Sequence, residues 1–274
     1  MRICIAGKNN MAIAAVKTVL KARLVTRDEL WAMCNASDDG IGTFQDSFRE
    51  FCMSNDIRIV KPADLFAATD LILVSCQYDN LLPVKSFASP HLFNIHTSLL
   101  PKYRGAHTCV LPILNGDKFA GATLHVMDHG IDTGPIVDRV RFPIAATATA
   151  RDLYATVVSA GIRLFRRNIR NLINATYTTQ SQIPANASYH SRNAIKYSEV
   201  TINLQKTAIE IIRQVRAFTF LEYQVPTALG FRVMAAEMLA RRSTRRSGAL
   251  LEEGASYIDV ASIDYDVRLR KFVE

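Results

Sequence analysis

The segment Phe93-Asn94-Ile95-His96-Thr97-Ser98-Leu99-Leu100-Pro101-Lys102-Tyr103-Arg104-Gly105 puts an amide and an imidazole two residues apart at the end of an apolar run. Residues i and i+2 of a strand share a face, so Asn94 and His96 project together beside a loop punctuated by Pro101 and Gly105. An imidazole titrates near neutrality and can take or give a proton. A side-chain amide can donate to an oxyanion that develops in a dry site. Taken alone, an Asn-x-His pair is weak evidence and is more often structural than catalytic.

A third group comes from Met127-Asp128-His129-Gly130-Ile131-Asp132-Thr133-Gly134-Pro135, where two glycines and a proline shape a loop. An acid here can orient His96, stabilise its imidazolium or receive a proton through water. Spacing alone leaves Asp128 and Asp132 both open. His107, His125 and His129 read as support for the site's structure, and no metal-ligand spacing appears among them. Ser98 lacks the G-x-S-x-G elbow of a hydrolase nucleophile and reads as a loop-forming hydroxyl. The early turn Gly7-Lys8-Asn9-Asn10 has neither the G-x-G-x-x-G fingerprint nor a P-loop, which argues against a dinucleotide. Lys8, Asn9 and Asn10 either hold an anion such as phosphate at a helix N-terminus or form a plain polar turn.

These groups need elements to position them. Arg2 to Ala6 reads as a strand and Met11 to Leu20 as a helix. Trp31 to Asn35 and Arg58 to Val60 read as short strands, with a helix over Phe44 to Asn55 between them. The continuous apolar run Leu71 to Cys76 suits a strand covered on both faces, and Leu92 to His96 is the next. A helix over Gly105 to Leu114 and strands over Ala122 to Met127 and Ile136 to Phe142 follow. A long amphipathic helix starts at Thr149-Ala150-Arg151-Asp152 and ends near Asn174. Alternation of strand and helix predicts an α/β fold with a doubly wound, mostly parallel sheet. The character changes at the polar segment Gln180 to Ala187, so the domains are expected at 1–185 and 186–274. The second is small and mainly β: strand-like Val200 to Leu204, a helix over Thr207 to Phe218, then strand-like runs over Thr227 to Met234, Tyr257 to Ile263 and Tyr265 to Phe272.

The 274 residues are 49% hydrophobic and 21% charged, the balance of a packed globular protein. No apolar run approaches a membrane span, and the first residues read as a strand rather than a signal peptide. A soluble cytoplasmic protein without a membrane partner is therefore expected. The five cysteines, at 4, 34, 52, 76 and 109, suggest neither a disulfide framework nor a zinc site. The net charge of +8 is spread out apart from Arg241-Arg242-Ser243-Thr244-Arg245-Arg246, which reads as a solvated loop. A diffuse excess suits an anionic small substrate as well as nucleic acid.

Two blocks in fixed order carry a family resemblance. Asn94-Ile95-His96-Thr97-Ser98-Leu99-Leu100-Pro101 with Tyr103-Arg104-Gly105, and His125-Val126-Met127-Asp128-x-Gly130-Ile131-Asp132-Thr133-Gly134-Pro135-Ile136, resemble the 10-formyltetrahydrofolate-dependent formyltransferases. Asp132 follows His96 by 36 positions. The resemblance covers roughly Met1 to Ala175. It implies a catalytic triad of Asn94, His96 and Asp132, and so favours Asp132 over Asp128. Thr97 stands where the glycinamide ribonucleotide enzymes carry Pro, and Tyr103 where the tRNA enzymes typically carry Trp. His-Thr-Ser-Leu-Leu-Pro-x-Tyr-Arg-Gly is instead similar to the sugar-nucleotide N-formyltransferases of bacterial surface-polysaccharide synthesis, as are Gly7 to Asn10 and Ile263 to Asp266.

The resemblance implies formyl transfer to the amine of a nucleotide-linked amino sugar, a dTDP-linked 3- or 4-amino-6-deoxyhexose. Asn94 and a protonated His96 would stabilise the oxyanion, with Asp132 holding His96 charged. The co-substrate 10-formyltetrahydrofolate is expected against Gln77, Tyr78, Leu82, Asp128, Gly130 and Ile131. The sugar nucleotide is expected against Lys8, Asn9, Asn10, Tyr78, Lys102, Tyr103, Arg104, Gly105 and Tyr223. No metal and no nucleic acid are expected, and a homodimer is implied by the relatives alone. The alternatives are a methionyl-tRNA formyltransferase and an inactive folate- or nucleotide-binding module.

Overall fold

A computed structural model describes residues 1–272. Strand β1 (Arg2–Gly7) runs into helix α1 (Asn9–Lys21), followed by β2 (Leu30–Cys34), α2 (Phe48–Ser54), β3 (Arg58–Ile59), β4 (Leu71–Cys76) and β5 (Leu92–His96). The short strand β6 (Arg104–Gly105) and the single turn α3 (Leu111–Leu114) precede β7 (Phe119–Val126), β8 (Ile136–Pro143) and the long helix α4 (Ala150–Ile173). Beyond β9 (Tyr189–His190) come α5 (Ala208–Phe218), β10 (Thr227–Ala228), β11 (Phe231–Arg242), β12 (Leu250–Glu253), β13 (Tyr257–Val260) and β14 (Tyr265–Lys271).

Two compact units divide the chain. The first comprises Met1–Gly105, Gly121–Phe142 and Thr156–Tyr189; the second takes Ala106–Ala120, Pro143–Ala155 and the chain from His190 onward. The first unit carries a seven-stranded sheet in the order β3-β2-β1-β4-β5-β7-β8. Its first five strands are mutually parallel, and β7 runs antiparallel to β5 with His96 opposite Thr123. Every residue of β4 is buried, as its continuous apolar run predicts for a strand covered on both faces. Helix α1 turns Met11, Ala12, Ala15, Val16 and Val19 inward at helical spacing. A Cβ at Gly7 would collide with the Cys76 carbonyl, which explains the single glycine of the first turn. Cys4 and Cys76 are fully buried core residues and all five thiols are free.

The second unit packs α5 on a five-stranded antiparallel sheet ordered β10-β11-β14-β13-β12. Ile211 and Val215 of the helix meet Val233, Ile258, Val260, Val267 and Leu269 in its core. Thr207 and Glu210 form a reciprocal cap at the start of α5.

Several elements differ from the sequence expectation. The helix expected over Gly105 to Leu114 is confined to α3: Gly105 (φ 82°) and His107 (φ 63°) are left-handed, and the Ala106 amide donates to the His190 carbonyl. The helix expected from Phe44 starts only at Phe48. There Ser47 caps it through the Glu50 amide, and the buried Asp38 accepts from Ser47 Oγ and the Arg49 amide. Val200 to Leu204 forms no strand; Thr201 alone bridges Thr227. The Arg241 run is only partly a loop, since Arg241 and Arg242 end β11. Arg241 pairs with Asp266 and Asp259, and Arg242 lies 5.2 Å from the centre of the Tyr265 ring.

Candidate active site

Asn94 and His96 occupy the C-terminal end of β5, where ligands bind in open α/β sheets. Fully buried Phe93 and Ile95, at 0% and 2% exposure, alternate with them and anchor the strand. Burial of each such side chain is worth about 1.5–3 kcal/mol, so the strand end is a rigid platform. Asp132 arrives from the loop between β7 and β8. Its backbone is left-handed (φ 54°), a conformation Asp tolerates better than most residues. A Cβ at Gly134 would collide with the Val126 carbonyl, so only glycine lets the loop fold this close to β7.

The three side chains meet. Asn94 Nδ2 donates to Asp132 Oδ1 at 3.1 Å, and His96 Nδ1 lies 3.4 Å from Asp132 Oδ2. The Gly105 amide donates to Asp132 Oδ2 at 2.8 Å. Asp128 instead accepts from the Gly130 amide and Thr133 Oγ1 (3.1 and 2.6 Å), which shapes the loop. Asp132, not Asp128, therefore faces His96.

Hydrogen positions follow from the partners. His96 Nε2 lies 2.7 Å from the Tyr103 carbonyl, which can only accept, so Nε2 carries the hydrogen and Nδ1 holds the lone pair. By the same argument His125 Nδ1 donates to the Val126 carbonyl at 2.8 Å, and its Nε2 lies 3.2 Å from Asn94 Nδ2 and 3.4 Å from Asp132 Oδ1. His125, read from the sequence as a supporting histidine, touches Asn94 directly.

Burial is the largest influence on His96 and lowers its pKa below the usual imidazole value; the Asp132 charge and the Tyr103 carbonyl oppose it without prevailing. The resting imidazole is therefore neutral near pH 7, in contrast to the protonated form expected from the sequence. Burial alone would raise the pKa of Asp132. The contacts with His125, His96 and the Gly105 amide more than reverse this and lower it to about 2. The arrangement is a neutral base, a permanent carboxylate and an amide donor around one point. It can accept a proton and stabilise the cation so formed.

The profile of the formyl transferase family matches residues 55–169. Over 100% of this chain and 98% of the other, the structure is similar to WlaRD, a sugar 3N-formyl transferase solved with dTDP and 5-N-formyl-THF, at 36% identity and a TM-score of 0.92. The chain belongs to the formyltransferase family. The N-formyltransferase from Helicobacter canadensis, solved with folinic acid and dTDP-3-aminofucose, is also 36% identical over 99% of this chain and 100% of that one, with a TM-score of 0.91. Methionyl-tRNA formyltransferase of Coxiella burnetii is 26% identical over 99% of this chain and 90% of its own.

The remaining residues expected to bind ligands are placed in several groups. In this formyltransferase Lys8 precedes α1, its amide donating to the Cys76 carbonyl at 3.3 Å; Asn9 is left-handed (φ 55°) and Asn10 is exposed. Gln77 is also left-handed (φ 66°), and its carbonyl accepts from Asn35 Nδ2. Tyr78 and Leu82 pack, half-buried, against the same core cluster as Met127. Gly130 and Ile131 are exposed on the Asp132 loop. Lys102 lies exposed over the Tyr103 ring, and Tyr103 is buried. Ser98 Oγ donates to the Lys102 carbonyl at 2.7 Å, the loop-forming role read from the sequence. Tyr223 is exposed in the second unit, its ring 4.9 Å from that of Phe220. Among the described residues no group of His, Cys, Asp or Glu could hold a metal ion. Gln182, which the sequence placed only in a polar segment, reaches the Asp132 loop; neither periodicity nor motif marks it.

Proposed function

We propose that this formyltransferase moves the formyl group of 10-formyltetrahydrofolate to the C-3 amine of a dTDP-linked amino-deoxyhexose. The observation that carries this reading is the full-length likeness to two enzymes whose names join a folate with dTDP or dTDP-3-aminofucose. Tyr78 and Leu82, half-buried against one core cluster, suit a flat heteroaromatic ring, and Ile131 is assigned to the same ligand. Gln77, Asp128 and Gly130 are assigned to the folate as well. Lys8, Asn9, Asn10, Lys102, Tyr103, Arg104 and Gly105 are assigned to the sugar nucleotide. The bound folate supplies the formyl carbon.

In this mechanism the attacking amine gives up a proton that passes by way of Asp132 Oδ2 to His96 Nδ1, 3.4 Å away, as the new C–N bond forms. Asp132 Oδ2 then faces an imidazolium instead of a lone pair, and this stabilises the transition state. Asn94 Nδ2 donates to the formyl oxygen as negative charge collects there. Its contact with the His125 ring, at 3.2 Å, costs less to give up than the charge-assisted bond to Asp132. His96 returns the proton to the departing nitrogen as the old C–N bond breaks. The amine thus loses one hydrogen and the leaving nitrogen gains one.

Within this reading the protein is cytoplasmic and homodimeric, and its product enters surface polysaccharide such as lipopolysaccharide O-antigen. Among the described residues no helix is long and apolar enough to cross a membrane. The test is an assay panel of dTDP-linked 3- and 4-amino sugars, with methionyl-tRNA alongside, read by mass spectrometry for the gain of one formyl group. Formylation of a 3-amino sugar is expected. Formylation of tRNA alone, or of no amine, would overturn the proposal.

A further inference from the structure

Every polar group of the Gln182 side chain is used beside the Asn94–His96–Asp132 cluster. Nε2 donates to the carbonyl oxygens of Asp132 and Gly134, both at 2.8 Å. Oε1 accepts from Arg104 Nε at 3.1 Å and Nη2 at 2.7 Å. The next residue, Gly105, donates its amide to Asp132 Oδ2. A ring of contacts therefore closes: Gly105 holds the Asp132 carboxylate, Gln182 holds the Asp132 backbone, and Arg104 holds Gln182. The Tyr103 amide donates to Ser188 Oγ and the Arg104 amide to the Ser188 carbonyl, both at 2.8 Å, so the Gln182 segment is itself pinned to the Arg104 strand.

We propose that Gln182 is a positioning residue for formyl transfer: it clamps the Asp132 loop to Arg104 and so fixes the Asp132 carboxylate against His96. The proposal rests on the reading of His96 and Asp132 as the catalytic pair. Only a side-chain amide of this length offers two donors to two carbonyls and an acceptor to a guanidinium at once. The left-handed Asp132 backbone aims its carbonyl, like that of Gly134, at the same amide nitrogen. Without the clamp the loop loses both bonds, and a carboxylate displaced by an ångström no longer meets the imidazolium.

The test replaces Gln182 by the apolar near-isostere, Gln182→Met. The expected result is a kcat lower by about 10²-fold, with both KM values nearly unchanged. The titratable groups facing His96 are Asp132, from the β7–β8 loop, and His125, from β7. Looser placement of Asp132 removes part of the influence that favours the imidazolium. The His96 titration, followed by NMR of labelled histidine, should therefore move to lower pH, and the acid limb of the rate profile with it. Should Gln182→Met not fold, Gln182→Glu keeps an acceptor for Arg104, loses both donors and should show the same fall in kcat. A kcat within about twofold of the parent, a loss confined to KM, or a lower kcat with an unmoved His96 titration would each overturn the proposal. The NMR titration needs no substrate, so a wrong choice of sugar nucleotide leaves it interpretable.

Discussion

At the scale of single residues, the site works by making three side chains unequal. His96 is kept neutral by burial, while Asp132 stays ionised with a pKa of about 2. The acid limb of kcat/KM therefore belongs to His96 and should lie below its ordinary value of about 6.5. Activity should fall as the pH drops through that limb, because protonated His96 cannot take the amine proton. Asp132→Asn removes the charge that raises the His96 pKa, so its residual activity should show the limb at still lower pH. A pH-rate profile of the two enzymes checks both statements, and an unmoved limb would remove His96 as the base. The linkage to stability has the same sign: a folded-state pKa below the unfolded one contributes stability above about pH 6.5 that is lost on acidification. Asn94→Ala should fold normally and lose roughly 10²–10³-fold in kcat, the effect of deleting one oxyanion donor. Full activity in that variant would exclude the amide from the chemistry.

The next scale is that of elements. Parallel strand β5 delivers Asn94 and His96, and the β7–β8 loop delivers Asp132. The loop depends on Gly134 lying against the Val126 carbonyl, and the Val126 amide donates to the Pro135 carbonyl at 2.9 Å. Gly134→Ala must push the loop away from β7. Overpacking of this kind costs about 1–3 kcal/mol, so the melting temperature should drop by several degrees and kcat should fall more than KM. Calorimetry together with steady-state kinetics reads both; a variant equal to the parent in both would show that the loop accommodates a side chain. Strands β1, β4 and β5 were legible in the sequence because continuous apolar runs have few other solutions. The helix expected from Gly105 was not, because its apolar spacing is real but the left-handed Gly105 and His107 are set by contacts with residues far along the chain.

At the scale of the whole molecule, the net charge of +8 invites a nucleic-acid reading. Arg268 and Arg241 pair with Asp259, Arg270 with Glu237, Arg167 with Asp138 and Arg151 with Glu222, but these pairs are neutral and leave the excess of +8 in place. On the sugar-nucleotide reading, binding to tRNA should be weak, and methionyl-tRNA should not be formylated. Filter binding at 50 and 200 mM salt measures this. Tight binding with the steep salt dependence of many phosphate contacts would restore the tRNA reading.

The sequence alone determined the parallel sheet, the long α4 helix and the pairing of Asn94 with His96: the sheet follows from apolar runs that alternate with helical segments, the helix from its 3.6-residue spacing, and the pairing from the two-residue repeat of a strand. The family resemblance, not spacing, chose Asp132 over Asp128. Tertiary structure decided what local pattern does not encode. It turned Asp128 to its own loop and Asp132 to His96, buried His96 so that it rests neutral, and brought Gln182 beside Asp132 from 50 residues along the chain. Proton affinity depends on desolvation and on charges that only the folded chain brings together, so the state of His96 could not be read before the fold.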